Sequence, residues 1–174
     1  MIPEVPKAEW DSDYRPAMFR PIGPQIEITD DADLSIKVSR AQDGGFCILF
    51  SRSRGGSGVT AGRLPGPDDR SKYVVAIIGA PAMRKGGVGF VTGLVTPNVA
   101  RVEIELRDGT RISAPTEVVP DALEADLRSF VIRTPADEQP FGPGYPPWTR
   151  EYVLFASDDA VLERLGSSRR TRDT

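Results

Sequence analysis

Histidine is absent from the 174 residues, and cysteine occurs once, at Cys47. Without an imidazole there is no Ser-His-Asp or Cys-His nucleophile, and with one thiol there is neither an intrachain disulfide nor a Cys/His zinc site. Long apolar runs are missing too. The longest, Tyr73 to Ile78, falls far short of the ~18 residues that a membrane-spanning helix needs. The first residues, MIPEVPKAEW, lack the basic start and apolar stretch of a secretory signal. Excess positive charge is also lacking: 22 Lys plus Arg face 25 Asp plus Glu, a net charge of −3. A general phosphate-binding surface is therefore excluded, and no nucleic-acid partner is expected. The expected location is cytoplasmic if the chain is complete, and extracytoplasmic if it is a fragment of an anchored protein.

What is present suits one domain of ordinary size, with 39% hydrophobic and 27% charged residues. Residues 1–25 contain Pro3, Pro6, Pro16, Pro21 and Pro24. Proline removes backbone donors and favours extended chain, so this segment reads as an arm rather than a helix or a central strand. Trp10, Tyr14 and Phe19 lie on it. Three aromatics argue that the arm packs on its own domain, the favoured reading, with a protein partner or self-association through the arm as the alternative. Residues 26–166 are expected to form the single β domain, and residues 167–174 to be a flexible polar tail.

Alternation of period two, the mark of a half-buried strand, begins with Ile26 and Ile28. It resumes at Leu34, Ile36 and Val38 after a polar turn over Asp30, Asp31 and Asp33. Phe46 to Phe50 and Tyr73 to Ile78 are short apolar runs that read as buried strands. The segment from Ser51 to Gly58 reads as a flexible loop, and the glycines from Gly79 to Gly89 as a connection.

The clearest pattern is Val99 to Thr116. Val102, Ile104 and Leu106 alternate with Glu103, Glu105 and Arg107, then Asp108-Gly109 marks a turn. A two-residue loop would send one strand's apolar face to the wrong side. A three-residue loop over Arg107, Asp108 and Gly109 pairs Leu106 with Thr110, Ile104 with Ile112 and Val102 with Ala114. It requires Gly109 at positive φ in a bulge.

Asp121 to Leu127 can form one helical turn, and Phe130 to Arg133 and Tyr152 to Ala156 are further strands. After Tyr152 to Ala156, Ser157 to Asp159 either turn a hairpin, the favoured reading, or cap a short helix over Val161 to Leu165. Many short strands with Gly/Pro turns predict an all-β fold, an antiparallel β-sandwich or open barrel with an extended Pro-rich N-terminal arm.

Reactive chemistry is sparse. Cys47, flanked by Phe46 and Ile48, reads as a buried structural thiol. Asp31 to Ile36 lacks the glycine of an EF-hand loop. The glycine clusters at Gly55 to Gly58 and Gly86 to Gly89 lack the Gly-Lys-Ser/Thr ending of a phosphate loop, although Arg52, Arg54, Arg84 and Lys85 lie beside them. Glu103 and Glu105 share a strand face about 7 Å apart, a spacing that also belongs to a plain outward face. No catalytic residue, metal ligand or cofactor is expected. The most informative segment is the proline-stiffened loop 134–150, where Phe141, Tyr145 and Trp148 are the expected binding residues. Stiff aromatic loops lose little entropy on binding and stack on sugars, prolines or cations.

Several stretches resemble actinobacterial small β-domain proteins of unknown function. They are Asp43-Gly44-Gly45-Phe46-Cys47, Gly93 to Val102, Asp108-Gly109-Thr110, Leu127 to Val131 and Phe155 to Leu162. Such proteins often sit outside the membrane behind a single anchor and carry a second cysteine, where this chain has Thr60 and Ala61. The resemblance implies a β fold and no particular activity. The expected function is a non-enzymatic interaction or structural β-sandwich module. The alternative is a carbohydrate-binding or carboxylate-based carbohydrate-active domain using loop 134–150.

Overall fold

A computed structural model of the chain describes residues 16–53, 56–80, 89–106, 109–120, 123–134 and 149–166. After a 3-10 turn at Ala17–Phe19, the described chain is built of strands: β1 (Pro21–Asp30), β2 (Leu34–Ala41), β3 (Phe46–Arg52), β4 (Ser57–Gly62), β5 (Val74–Ala80), β6 (Gly89–Val95), β7 (Arg101–Leu106), β8 (Arg111–Pro115), β9 (Glu117–Val118), β10 (Arg128–Thr134), β11 (Thr149–Phe155) and β12 (Val161–Gly166). They form three four-stranded sheets, in the orders β1-β2-β3-β4, β5-β6-β10-β9 and β12-β11-β7-β8. Every pairing is antiparallel. The protein is all-β and layered, and the described strands close no barrel. Among the described residues, no helix is long and apolar enough to cross a membrane.

The second sheet is the middle layer. Along β6, Phe90 and Leu94 point to one core, shared with Leu34, Ile36, Val38, Phe46 and Ile48 of the first sheet. Val91 and Val95 point the opposite way, to a core shared with Val102, Ile104 and Leu154 of the third sheet. All seven residues of β6 are buried. A strand covered on both faces has no polar side to show, so its sequence, GFVTGLV, carries no alternation. That is why the sequence pattern predicts no strand here, and β6 starts at Gly89, where the expected connection ends. Thr92 is its one polar side chain, and its hydroxyl donates to the Phe130 carbonyl at 2.8 Å.

Two corners tie the layers. At the end of β4, a methyl group added to Gly62 would overlap the Val75 carbonyl oxygen, so only glycine lets the first and second sheets approach here. At Thr116 the chain leaves the third sheet and joins the second. The Thr116 amide donates to Ala100 O at 2.9 Å, its hydroxyl donates to Val99 O at 2.6 Å, and Arg128 Nε donates to that hydroxyl at 2.7 Å.

The β7–β8 hairpin has the expected register: Val102 faces Ala114 and Ile104 faces Ile112. The Leu106 amide donates to Thr110 O at 2.7 Å, and Gly109 has φ +88°. The last two strands form a hairpin rather than a strand and helix, with Tyr152 opposite Leu165 and the Ala156 amide on Ala160 O at 2.9 Å.

Elsewhere the sheet begins earlier and extends further than expected. β1 starts at Pro21, inside the Pro-rich segment, because an edge strand leaves one side of its backbone to solvent and loses no ladder bond there. A register shift between Ile22 and Ile26 absorbs Gly23 and Pro24. The segment expected as a loop to Gly58 is shorter, since β3 runs to Arg52 and β4 starts at Ser57. Leu123 and Leu127 are both buried in the first core, held by Arg40, whose Nε donates to Leu123 O at 2.7 Å.

Candidate functional site

The register of β2, β3 and β4 arranges the outer face of the first sheet in rows. Ser35, Ser51 and Ser57 lie side by side, then Lys37, Leu49 and Val59, then Ser39, Cys47 and Ala61. The third row is covered by the 3-10 turn: Ser39 and Cys47 are fully buried, and the Cys47 thiol donates to Met18 O at 3.1 Å. Burial first, and the Asp43 carboxylate second, push the Cys47 thiol above its ordinary value. It is a packed thiol, as its apolar flanks predict, and is held in its protonated, unreactive form.

The first two rows are not covered by the turn. With Phe50 and Gly58 they line a groove of about 340 Å³. Its chemistry is mixed: a row of hydroxyls that both donate and accept, an apolar floor from Leu49 and Val59, and one ammonium. Lys37 Nζ lies 3.9 Å from Glu27 on the neighbouring edge strand, an exposed and weak pair. Such a surface suits an extended segment with apolar and acidic side chains.

A second cluster lies where the turn after β1, the end of β3, the start of β6 and the end of β10 meet. Arg133, at the end of β10, reaches the carboxylates of Asp31 and Asp33, the latter at 3.4 Å. The aspartates that superficially suggested calcium thus hold the β1–β2 turn to the middle sheet. Arg52 lies 5.8 Å from the Phe50 ring and 5.9 Å from the Phe90 ring, where burial lowers its pKa. Arg54 and the glycine-flanked Arg84 and Lys85 lie outside the described residues.

The carboxylates of the third sheet are also engaged. Arg111 bridges Glu103 at 2.9 Å and Glu105 at 3.1 Å, and the Glu103 hydrogen bond leads the effects that raise the Arg111 pKa. Arg101 flanks Glu103 at 3.5 Å and stacks on Phe155 at 3.8 Å, while Arg164 pairs with Glu151 at 3.2 Å.

The expected binding residues Phe141, Tyr145 and Trp148 lie outside the described residues, as does most of loop 134–150. Among the described residues, no group of three or more His, Cys, Asp or Glu side chains could hold a metal ion. The groove residues were not singled out from the sequence. Serines at 35, 51 and 57 and a lone lysine become neighbours only through strand register. Compared with known proteins, this chain matches no protein-family description, no curated protein and no solved structure.

Proposed function

We propose that this chain is a non-enzymatic interaction module, a layered β scaffold that presents the outer face of its first sheet to a protein partner. The groove beside the 3-10 turn carries this reading. One row of that face is already covered by a chain segment, while the other two offer hydroxyls, an apolar floor and Lys37 to a second one. Sheet faces bind extended chains by such mixed surfaces, with apolar contacts supplying affinity and polar groups fixing orientation.

The way the reactive groups are employed supports the non-enzymatic part. The thiol is packed under Met18, Glu103 and Glu105 are bridged by Arg111, and Asp31 and Asp33 hold Arg133. Each is committed to holding the fold.

Photo-crosslinking tests the proposal. A benzophenone amino acid is placed at Val59 in the groove and, as control, at Val118 on the second sheet, where the side chain is 69% exposed. The expected result in the source cells is one adduct of discrete mass at Val59, absent at Val118 and lost when Lys37→Glu is added. Equal labelling at both positions, or none at Val59, overturns it.

A further inference from the structure

The groove adjoins a stretch of chain that already lies on the same face. The 3-10 turn sits over β3 with the Met18 carbonyl on the Cys47 thiol, and Pro16 directly precedes it. Residues 1–15, MIPEVPKAEWDSDYR, lead into Pro16. They carry two large aromatics, Trp10 and Tyr14, and four carboxylates, Glu4, Glu9, Asp11 and Asp13, against Lys7 and Arg15. Among the described residues, Lys37 is the one charged side chain lining the groove. A net-acidic, aromatic segment is therefore tethered beside a groove with an apolar floor and one cation.

Distance permits the contact. Leu49 lies two positions beyond Cys47 on β3 and Ser51 four, so at ~3.4 Å per residue the groove spans about 7 to 14 Å from the seated turn. Extended chain advances up to ~3.6 Å per residue, which puts Tyr14 within about 7 Å of Pro16 and Trp10 within about 22 Å. Tethering favours it as well. A segment joined by a short link experiences an effective concentration in the millimolar range, so even a weak site is well occupied. Pro3, Pro6 and Pro16 each fix one φ and restrict the residue before it, so fewer conformations are lost on seating.

We infer that the groove is the seat of the chain's own N-terminal arm, with the Trp10–Tyr14 stretch over Leu49 and Val59 and its carboxylates facing Lys37. This rests on the reading of the face as a contact surface, and adds its regulation: a partner binds there by displacing the arm.

Tryptophan fluorescence of the full chain tests it. The protein has two tryptophans, so Trp148→Phe leaves Trp10 as the only reporter. The expected result is blue-shifted Trp10 emission and acrylamide quenching several-fold weaker than that of free tryptophan amide. Lys37→Glu, at a half-exposed position, raises quenching toward the free value with an unchanged far-UV spectrum. Val59→Glu does the same through the apolar floor, and Val118→Glu does not. Protection that is constant on dilution supports the tethered arrangement. Protection lost on dilution means that a second copy's groove holds the arm, and overturns it. So does a Trp10 as quenchable as the free amide, or indifferent to both groove variants. Crosslinking at Val59 separates the two readings: an adduct retained while Trp10 is fully quenchable removes the arm alone, and loss of both signals removes the contact surface with it.

Discussion

Single residues decide the turns, and there the chemistry is local enough to read directly. Gly109 is the clearest case. Its φ of +88° lies in the left-handed region, which a Cβ, and a β-branched one above all, resists. Gly109→Val is expected to cost about 1–2 kcal/mol, seen as a lower urea midpoint with an unchanged slope. A midpoint equal to that of the parent would mean that the three-residue loop is not formed. Gly62 is a different kind of requirement. Its neighbour across the corner, Val75, is distant in sequence, and nothing in SGVTAG announces that a carbonyl will stand where a side chain would be. A glycine needed for its own dihedral is legible locally, while one needed for a neighbour's backbone is not.

At the scale of elements, the β2–β3 hairpin shows how a turn is held by charge. Asp43 Oδ1 accepts the Gly45 amide at 2.9 Å, and Oδ2 pairs with Arg63 at 3.0 Å. The Gly45 hydrogen bond first, and Arg63 second, hold the Asp43 carboxyl below its ordinary value of 3.8. The sign follows from linkage. A folded pKa below the unfolded one gives stability that is present above 3.8 and lost as pH falls through the folded value. Asp43→Asn is therefore expected to melt below the parent at neutral pH, with the gap closing between about pH 5 and about pH 2. Parallel thermal melts across that range check it, and a gap independent of pH would show that the carboxylate's charge contributes nothing.

Elements also mark how much of the fold and site the sequence carried. Strands with one wet face were readable: β2, β7 and β8 alternate because solvent and core select opposite residue types. β6 was not, because both of its faces are dry, and β4 was not, because small residues and threonine carry little pattern. The groove was illegible for a related reason. Ser35, Ser51, Ser57, Lys37, Leu49 and Val59 are ordinary strand residues until register sets them side by side.

Across the whole molecule, the second sheet contributes side chains to both cores and is expected to couple them in one unfolding unit. Leu94 anchors the core shared with the first sheet, and Ile104 the core shared with the third. Both are fully buried. Leu94→Ala and Ile104→Ala are each expected to cost ~2–5 kcal/mol, and both to shift the same single unfolding transition. Calorimetry reads this directly. Two separated transitions in either variant would show that the outer sheets unfold independently and that β6 does not couple them.

The sequence by itself determined the fold class, the β7–β8 register and the glycine of its turn, because each depends on residues close along the chain. Only the tertiary structure decided that β6 lies at the centre, that Arg133 and Arg111 occupy the carboxylates, and that a groove opens beside the 3-10 turn. These depend on which strands become neighbours. Neighbour choice is settled by the burial of whole faces against one another, a sum over distant residues that no local pattern contains.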